Sequence, residues 1–144
     1  MAIRRKTSEE AGMAAVREVR ALFASVNADS AAPAPTAPVP TELERAFAAL
    51  PRSVRATFVR FTLEELATLA PGNSVEVRVP PLGVTQCVAG PRHTRGTPPS
   101  VVETSPVVWA ALVLGACSWE QAVAAGVLDA SGERSDLSTL LPLF

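Results

Sequence analysis

Residues 101–141 constrain the fold more than any other part of the chain, because caps and glycines mark nearly every junction between their elements. Ser105 occupies a helix N-cap position, and Pro106 follows at the first helical position, where the missing N–H of proline costs nothing. Ser118 and Gln121 have the spacing of a capping box, in which each side chain bonds the backbone of the other residue. The segment therefore predicts the order strand, helix, short helix, strand, helix.

The helix that begins at Pro106 carries no charge over the run PVVWAALVLGA. Such a helix is buried on most of its surface. Gly115 and Gly126 stand where glycines in the left-handed conformation end helices. A short strand over 127–131 follows, and three leucines at helical spacing then predict a last amphipathic helix. These leucines are Leu137, Leu140 and Leu141.

This order of elements resembles the C-terminal half of the sterol carrier protein-2-like fold. The matching segments are 101–104, Gly115, 122–126, 127–132 and 137–141. More closely, residues 71–144 resemble a small actinobacterial group, the bacterial sterol carrier family proteins. The runs that carry this likeness are PGNSVEVRVPPLGVTQCVAGPRHTRGTPPSVVETSP and W-x-x-A-V-A-x-G.

The resemblance implies an α+β domain whose helices and sheet surround an apolar tunnel for acyl chains or sterols. The candidate cavity residues are Val108, Trp109, Leu112, Val113 and Phe58. The sequence does not separate a cavity wall from a packed interior, because both are apolar. The leading function is non-enzymatic binding of a lipid or other apolar small molecule in such a cavity, with no cofactor.

Three regions are predicted along the chain: an N-terminal amphipathic helix within 1–26, an Ala/Pro-rich linker over 27–40, and the sterol carrier-like domain over 41–144. Thr7 and Glu10 have capping-box spacing at the start of the helix. Its apolar stripe consists of Val16, Val19, Phe23 and Val26. Because an isolated helix is marginal in water, this one either packs on the domain or meets a protein partner. Both interpretations stand.

Within the domain, Thr41 and Glu44 predict a capped helix that Pro51 breaks or kinks. The next helix carries a broad apolar face made of Val54, Phe58, Phe61, Leu66 and Leu69. Valines at 75, 77 and 79 alternate with charged residues, which is the pattern of a half-buried strand. We therefore expect an α+β fold with a mostly antiparallel sheet of four to five strands and helices packed on one face.

Composition excludes several classes of function. The net charge is −1, and no aromatic residue lies between Phe61 and Trp109, whereas a nucleic acid binder shows a basic face or a stacking platform. No run approaches the roughly 18 apolar residues of a membrane span. The run MAIRRKTSEE lacks the apolar core of a signal peptide, so we expect a cytoplasmic protein. One histidine with Cys87 and Cys117 makes no metal ligand set, and both cysteines are interpreted as small buried apolar residues.

The segment 77–102 contains Arg92, His93 and Arg95 and no acidic residue. Glycines and prolines restrict the backbone of GPRHTRGTPP, and two guanidinium groups beside an imidazole suit recognition of a carboxylate or phosphate. Alternatively, the arginines pair with acidic residues and hold the loop on the sheet. The candidate partners are Glu103, Asp129 and Asp136.

Two alternative functions follow from this Arg/His loop. One is a protein-interaction or scaffold module that uses the N-terminal helix together with the loop. The other is a subunit of an enzyme that acts on a small anionic substrate through Arg92, His93 and Arg95. A general base at His93 requires an orienting carboxylate, and no spacing in the sequence singles one out. We therefore assign no catalytic residue and expect a protein that is not an enzyme.

Overall fold

The computed structural model describes residues 5–29, 38–90 and 100–144, with side chains in the first of these segments described as far as Val26. Its elements are α1 (Glu9–Asp29), α2 (Thr41–Ala48), α3 (Arg52–Leu69), β1 (Val75–Val79), β2 (Gly83–Cys87), β3 (Ser100–Thr104), α4 (Pro106–Val113), α5 (Trp119–Ala124) and β4 (Leu128–Ser131). The described residues therefore form an α+β fold, which confirms the predicted class.

The four described strands form one sheet in the order β2-β1-β3-β4. The β1/β2 hairpin and the β3/β4 pair are antiparallel, whereas β1 and β3 in the centre are parallel. The sheet is therefore mixed, with antiparallel pairing at both edges. The connection between the two parallel strands begins after Cys87 and ends before Ser100, which allows the long crossover that a parallel pair needs.

One face of the sheet is buried and the other is open. Val75, Val77 and Val79 are fully buried, whereas Arg78 between them is exposed. Gly83 pairs with Val79, and a Cβ atom on it would lie 3.0 Å from Leu63 of α3. Helix α3 therefore covers the valine face, and Gly83 permits its close approach.

The helix starts predicted in the C-terminal half are present. The Ser105 hydroxyl accepts a hydrogen bond from the Val108 amide at 3.4 Å, and Pro106 is the first residue of α4. Ser118 and Gln121 form the reciprocal capping box of α5, with hydrogen bonds of 2.9 and 3.1 Å. These caps confirm the predicted starts of both helices. Each cap depends only on residues close in sequence.

Two caps predicted nearer the N-terminus were wrong. The Thr7 amide donates to the Glu64 carboxylate at 3.3 Å, so the cap of α1 moves to Ser8, whose hydroxyl accepts from the Ala11 amide at 3.2 Å. Helix α2 has no side-chain cap, because Pro40 occupies its N-cap position and Thr41 is already helical. In both places the helix starts one residue away from the position that the cap spacing indicates.

Helix α1 lies against α3. Its Val16 and Val19 are fully buried and Phe23 nearly so. The two helices approach closely at Gly12, since a Cβ atom there would overlap the Phe61 ring. The Glu64 carboxylate also accepts hydrogen bonds from the backbone just before α1, including that of Lys6 at 3.1 Å. The apolar stripe of α1 therefore packs on the domain.

The predicted last helix is wrong. Residues around Leu137 form a turn, with a hydrogen bond from the Leu140 amide to the Leu137 carbonyl at 3.0 Å. A helix could not continue past Pro142, because proline lacks the amide hydrogen and restricts the residue before it. Instead the amides of Leu143 and Phe144 donate to the Val113 carbonyl at 3.0 and 3.2 Å. The C-terminal tail, residues 137–144, thereby docks against the end of α4.

Among the helices of the described segments, none combines the length and the apolar character needed to cross a membrane.

Candidate functional site

The five predicted cavity residues all lie in the core of the domain. Their exposed fractions run from 0 to 3%. Helix α4 brings four of them against α3, which carries the fifth: Val108, Trp109, Leu112, Val113 and Phe58. Whether any of them contacts a ligand stays a prediction.

A buried chain of hydrogen bonds connects α4 with α3. The indole Nε1–H of Trp109 donates to Thr62 Oγ1 at 2.8 Å, and the Thr62 hydroxyl donates to the Phe58 carbonyl at 2.7 Å. The sequence reasoning missed Thr62. Its signal was available, because a buried tryptophan requires a hydrogen-bond partner for its N–H and Thr62 lies on the apolar face of the preceding long helix.

A pocket of about 470 Å³ opens at the C-terminal end of α4. It lies between the turn that joins α4 to α5, the first turn of α5, and the C-terminal tail. Its lining consists of Leu112, Gly115, Ala116, Cys117, Ser118, Trp119, Glu120, Gln121, Ser138, Leu141 and Pro142. We call it the α4-end pocket. Of the five predicted cavity residues, Leu112 is part of this lining and the other four are not.

Local backbone interactions shape the walls of this pocket. The amides of Ala116 and Cys117 both donate to the Ala111 carbonyl, at 2.8 and 3.3 Å, which holds the turn beneath α4. Gly115 has φ +75°, and a Cβ atom there would lie 3.5 Å from the Pro142 ring. The glycine turn and the tail therefore meet at Gly115 and Pro142, and both contribute to the lining.

The two thiols are free, buried and neutral. Burial raises the pKa of Cys87 to about 11, and burial also raises the pKa of Cys117, which lines the pocket. Since the thiolate is the nucleophile and the metal ligand, neither cysteine offers that chemistry at neutral pH. Within the described residues, no group of three or more His, Cys, Asp or Glu side chains is placed to hold a metal ion.

A family of proteins described as bacterial SCP orthologs matches residues 51–143. The chain belongs to this family. The match includes the whole sheet, the helices α3 to α5 and the α4-end pocket, whereas α1 and α2 precede it. The resemblance inferred from the sequence over residues 71–144 is confirmed. Among curated proteins, none matches the chain.

In this bacterial SCP ortholog, Arg92, His93 and Arg95 lie outside the described residues, so their anion-binding role stays a prediction. The two ends of the Arg/His loop are described. The Arg134 amide donates to Ser100 Oγ at 3.1 Å, and the Arg134 side chain lies against Gly90. Arg134, which the sequence reasoning did not select, therefore connects the start and the end of this loop.

The open face of the sheet in this bacterial SCP ortholog carries a shallow groove of about 510 Å³ beside the β1/β2 turn. Arg78 forms an ion pair with Glu76 there. Two of the acids predicted to pair with the loop, Glu103 and Asp129, are exposed and face each other across β3 and β4. The third, Asp136, has a lowered pKa because the Ser138 hydroxyl and amide bond its carboxylate. This face is a solvated charged surface.

Proposed function

We propose that this bacterial SCP ortholog binds a lipid or other apolar small molecule in the α4-end pocket, without catalysis. The observation that carries the proposal is the pocket itself, which lies within the family-matched region at the end of a helix free of charge. Its volume of about 470 Å³ falls in the range of roughly 300–1,000 Å³ that small-molecule sites occupy.

The distribution of side chains supports an apolar ligand. Leu112 is 1% exposed, the lowest exposed fraction among the lining residues. The lining also contains the apolar residues Trp119 of α5 and Leu141 and Pro142 of the tail. Ligand pockets combine such apolar walls with a few polar groups that orient the ligand. The other four predicted cavity residues belong to the same hydrophobic core as Leu112.

A matched pair of substitutions tests the proposal. Ala116→Trp places an indole in the pocket, whereas Ala125→Trp adds the same side chain at an exposed position after α5 that is not part of the lining. We expect the parent chain and Ala125→Trp to bind the neutral apolar dye Nile red and to retain co-purified ligand in native mass spectrometry. Ala116→Trp should bind at least ~tenfold more weakly.

Two results would overturn the proposal. One is an absence of dye binding at micromolar concentration together with an absence of co-purified ligand in the parent chain. The other is equal binding by the two tryptophan variants, because the ligand would then lie outside the α4-end pocket.

The other predicted properties remain proposals. One is the division into an N-terminal helix, a linker and a domain that starts at residue 41. This domain start lies ten residues before the family match begins. The actinobacterial origin and the cytoplasmic location rest on the sequence. The apolar stripe of α1 faces α3, so no described contact favours the interaction module, and the anionic-substrate enzyme depends on the Arg/His loop.

A further inference from the structure

We infer that the α4-end pocket selects a neutral amphiphile, with a hydroxyl, ester or amide head, over an anion of the same chain length such as a fatty acid carboxylate. The inference rests on the proposed function and adds the class of ligand. It is argued from the contrast between the buried Leu112 and the exposed polar residues at the start of α5 in the same lining, and from the carboxylate of Glu120 among them.

The lining combines polar side chains with apolar ones. Leu112 is buried, whereas Ser118, Glu120 and Gln121 at the start of α5 are exposed. Ser138, which is half-buried on the tail, lies on the lining as well. An amphiphile would therefore place its chain toward Leu112 and its head group at the start of α5.

The head-group end offers hydrogen-bond donors in a fixed arrangement. In the capping box, Ser118 Oγ accepts from the Gln121 amide at 3.1 Å and Gln121 Oε1 accepts from the Ser118 amide at 2.9 Å. Both side chains are thereby held through their oxygen atoms. The box does not use the hydroxyl hydrogen of Ser118 or the amide hydrogens of Gln121, and these groups donate to a neutral oxygen of a ligand.

Glu120 lies between these two residues, and it is the one charged group among the described lining residues. A carboxylate head at the same rim would face a like charge, which disfavours binding, whereas an alcohol head meets no such repulsion. The rim is exposed, so the penalty is moderate and depends on salt. We expect a preference of ~fivefold for the neutral ligand at low salt, which decreases as salt is added.

The experiment compares decanol with decanoate, which share a chain length and differ in head group. Displacement of Nile red is measured with each, at about pH 7.5, where the carboxylate is ionised, and at ~20 and ~150 mM salt. The variant Glu120→Gln removes the rim charge. The matched control is Glu133→Gln, the same change at an exposed position outside the lining.

The parent chain and Glu133→Gln should prefer decanol, and Glu120→Gln should gain affinity for decanoate ~severalfold, so that the preference for decanol decreases. Decanoate binding as tightly as decanol to the parent chain would overturn the inference and leave the proposed function standing. A preference for decanol that Glu120→Gln retains in full would also overturn it. Failure of both ligands to displace a bound dye would likewise overturn the inference. The proposed function fails only if the parent chain shows neither dye binding nor co-purified ligand, or if the two tryptophan variants bind equally.

Discussion

The indole N–H of Trp109 donates a 2.8 Å hydrogen bond to the hydroxyl of Thr62, and both residues are fully buried. The same hydroxyl donates to the Phe58 carbonyl. The Thr62 hydroxyl therefore accepts from the indole of α4 and donates to the backbone of α3. Such a relay replaces the water that a buried indole would otherwise need.

Thr62→Val keeps the shape of this side chain and removes the hydroxyl. We expect the free energy of unfolding to fall by about 1–3 kcal/mol, because the Trp109 N–H is left buried without an acceptor. Thr62→Ser is the control, since it retains the hydroxyl and loses a methyl group. Urea unfolding followed by circular dichroism measures both. A Val variant as stable as the Ser variant would contradict the prediction.

Gly12→Ala should destabilise the protein, against the intrinsic preference of helices. In an exposed helix interior this change stabilises by about 1 kcal/mol, but here the new Cβ would meet the Phe61 ring. We expect a loss of ~1–3 kcal/mol in urea unfolding as α1 shifts away from α3. The exposed Ala14 gives the reference, since Ala14→Gly should lose only the propensity term. Any gain in stability for Gly12→Ala would show that α1 and the Phe61 ring of α3 leave room for a methyl group.

The raised pKa of Cys87 predicts a loss of stability at alkaline pH. Its folded pKa of about 11 lies above the ordinary value of 9.0, so the unfolded chain loses the thiol proton first. The contribution is complete below about pH 9 and is lost as the pH rises toward 11, by up to ~2–3 kcal/mol. Urea unfolding across this range should show a steeper decrease for the parent chain than for Cys87→Ala. Equal slopes would contradict the assignment.

The ring of Phe144 stacks on that of Phe61, with centroids 6.0 Å apart. Phe144→Ala should lower the free energy of unfolding by about 1–2 kcal/mol, since it removes the aromatic contact and part of the buried area. A double-mutant cycle with Phe61→Leu isolates the coupling, for which we expect ~0.5–1.5 kcal/mol. A coupling near zero would mean that the tail is held by its backbone hydrogen bonds alone.

The sequence predicted well those features that depend on residues a few positions apart. Ser105 with Pro106 and Ser118 with Gln121 carry their own geometry, so the starts of α4 and α5 were identified without knowledge of the fold. Alternation of valines in β1 likewise showed which face of the strand is buried. These signals are local, and tertiary contacts did not override them.

Contacts between distant segments were beyond the sequence pattern. The leucines of the tail have helical spacing, but the tail forms a turn and its last two amides bond to the distant Val113 carbonyl. The stripe of α1 would look the same whether it faced a partner or α3, and the decisive contact is that of Gly12 with Phe61. The α4-end pocket was missed for a related reason, because its walls come from a turn and a tail with no shared periodicity.

The chain contains two tryptophans and no tyrosine, and the two tryptophans lie in different environments. Trp109 is sealed in the core, whereas Trp119 lies on the wall of the α4-end pocket. The intrinsic fluorescence of the protein is therefore the sum of one emitter that reports on folding and another that reports on the pocket. In a Trp109→Phe variant, Trp119 would be the single fluorophore, so occupancy of the pocket could be followed by light without an added label.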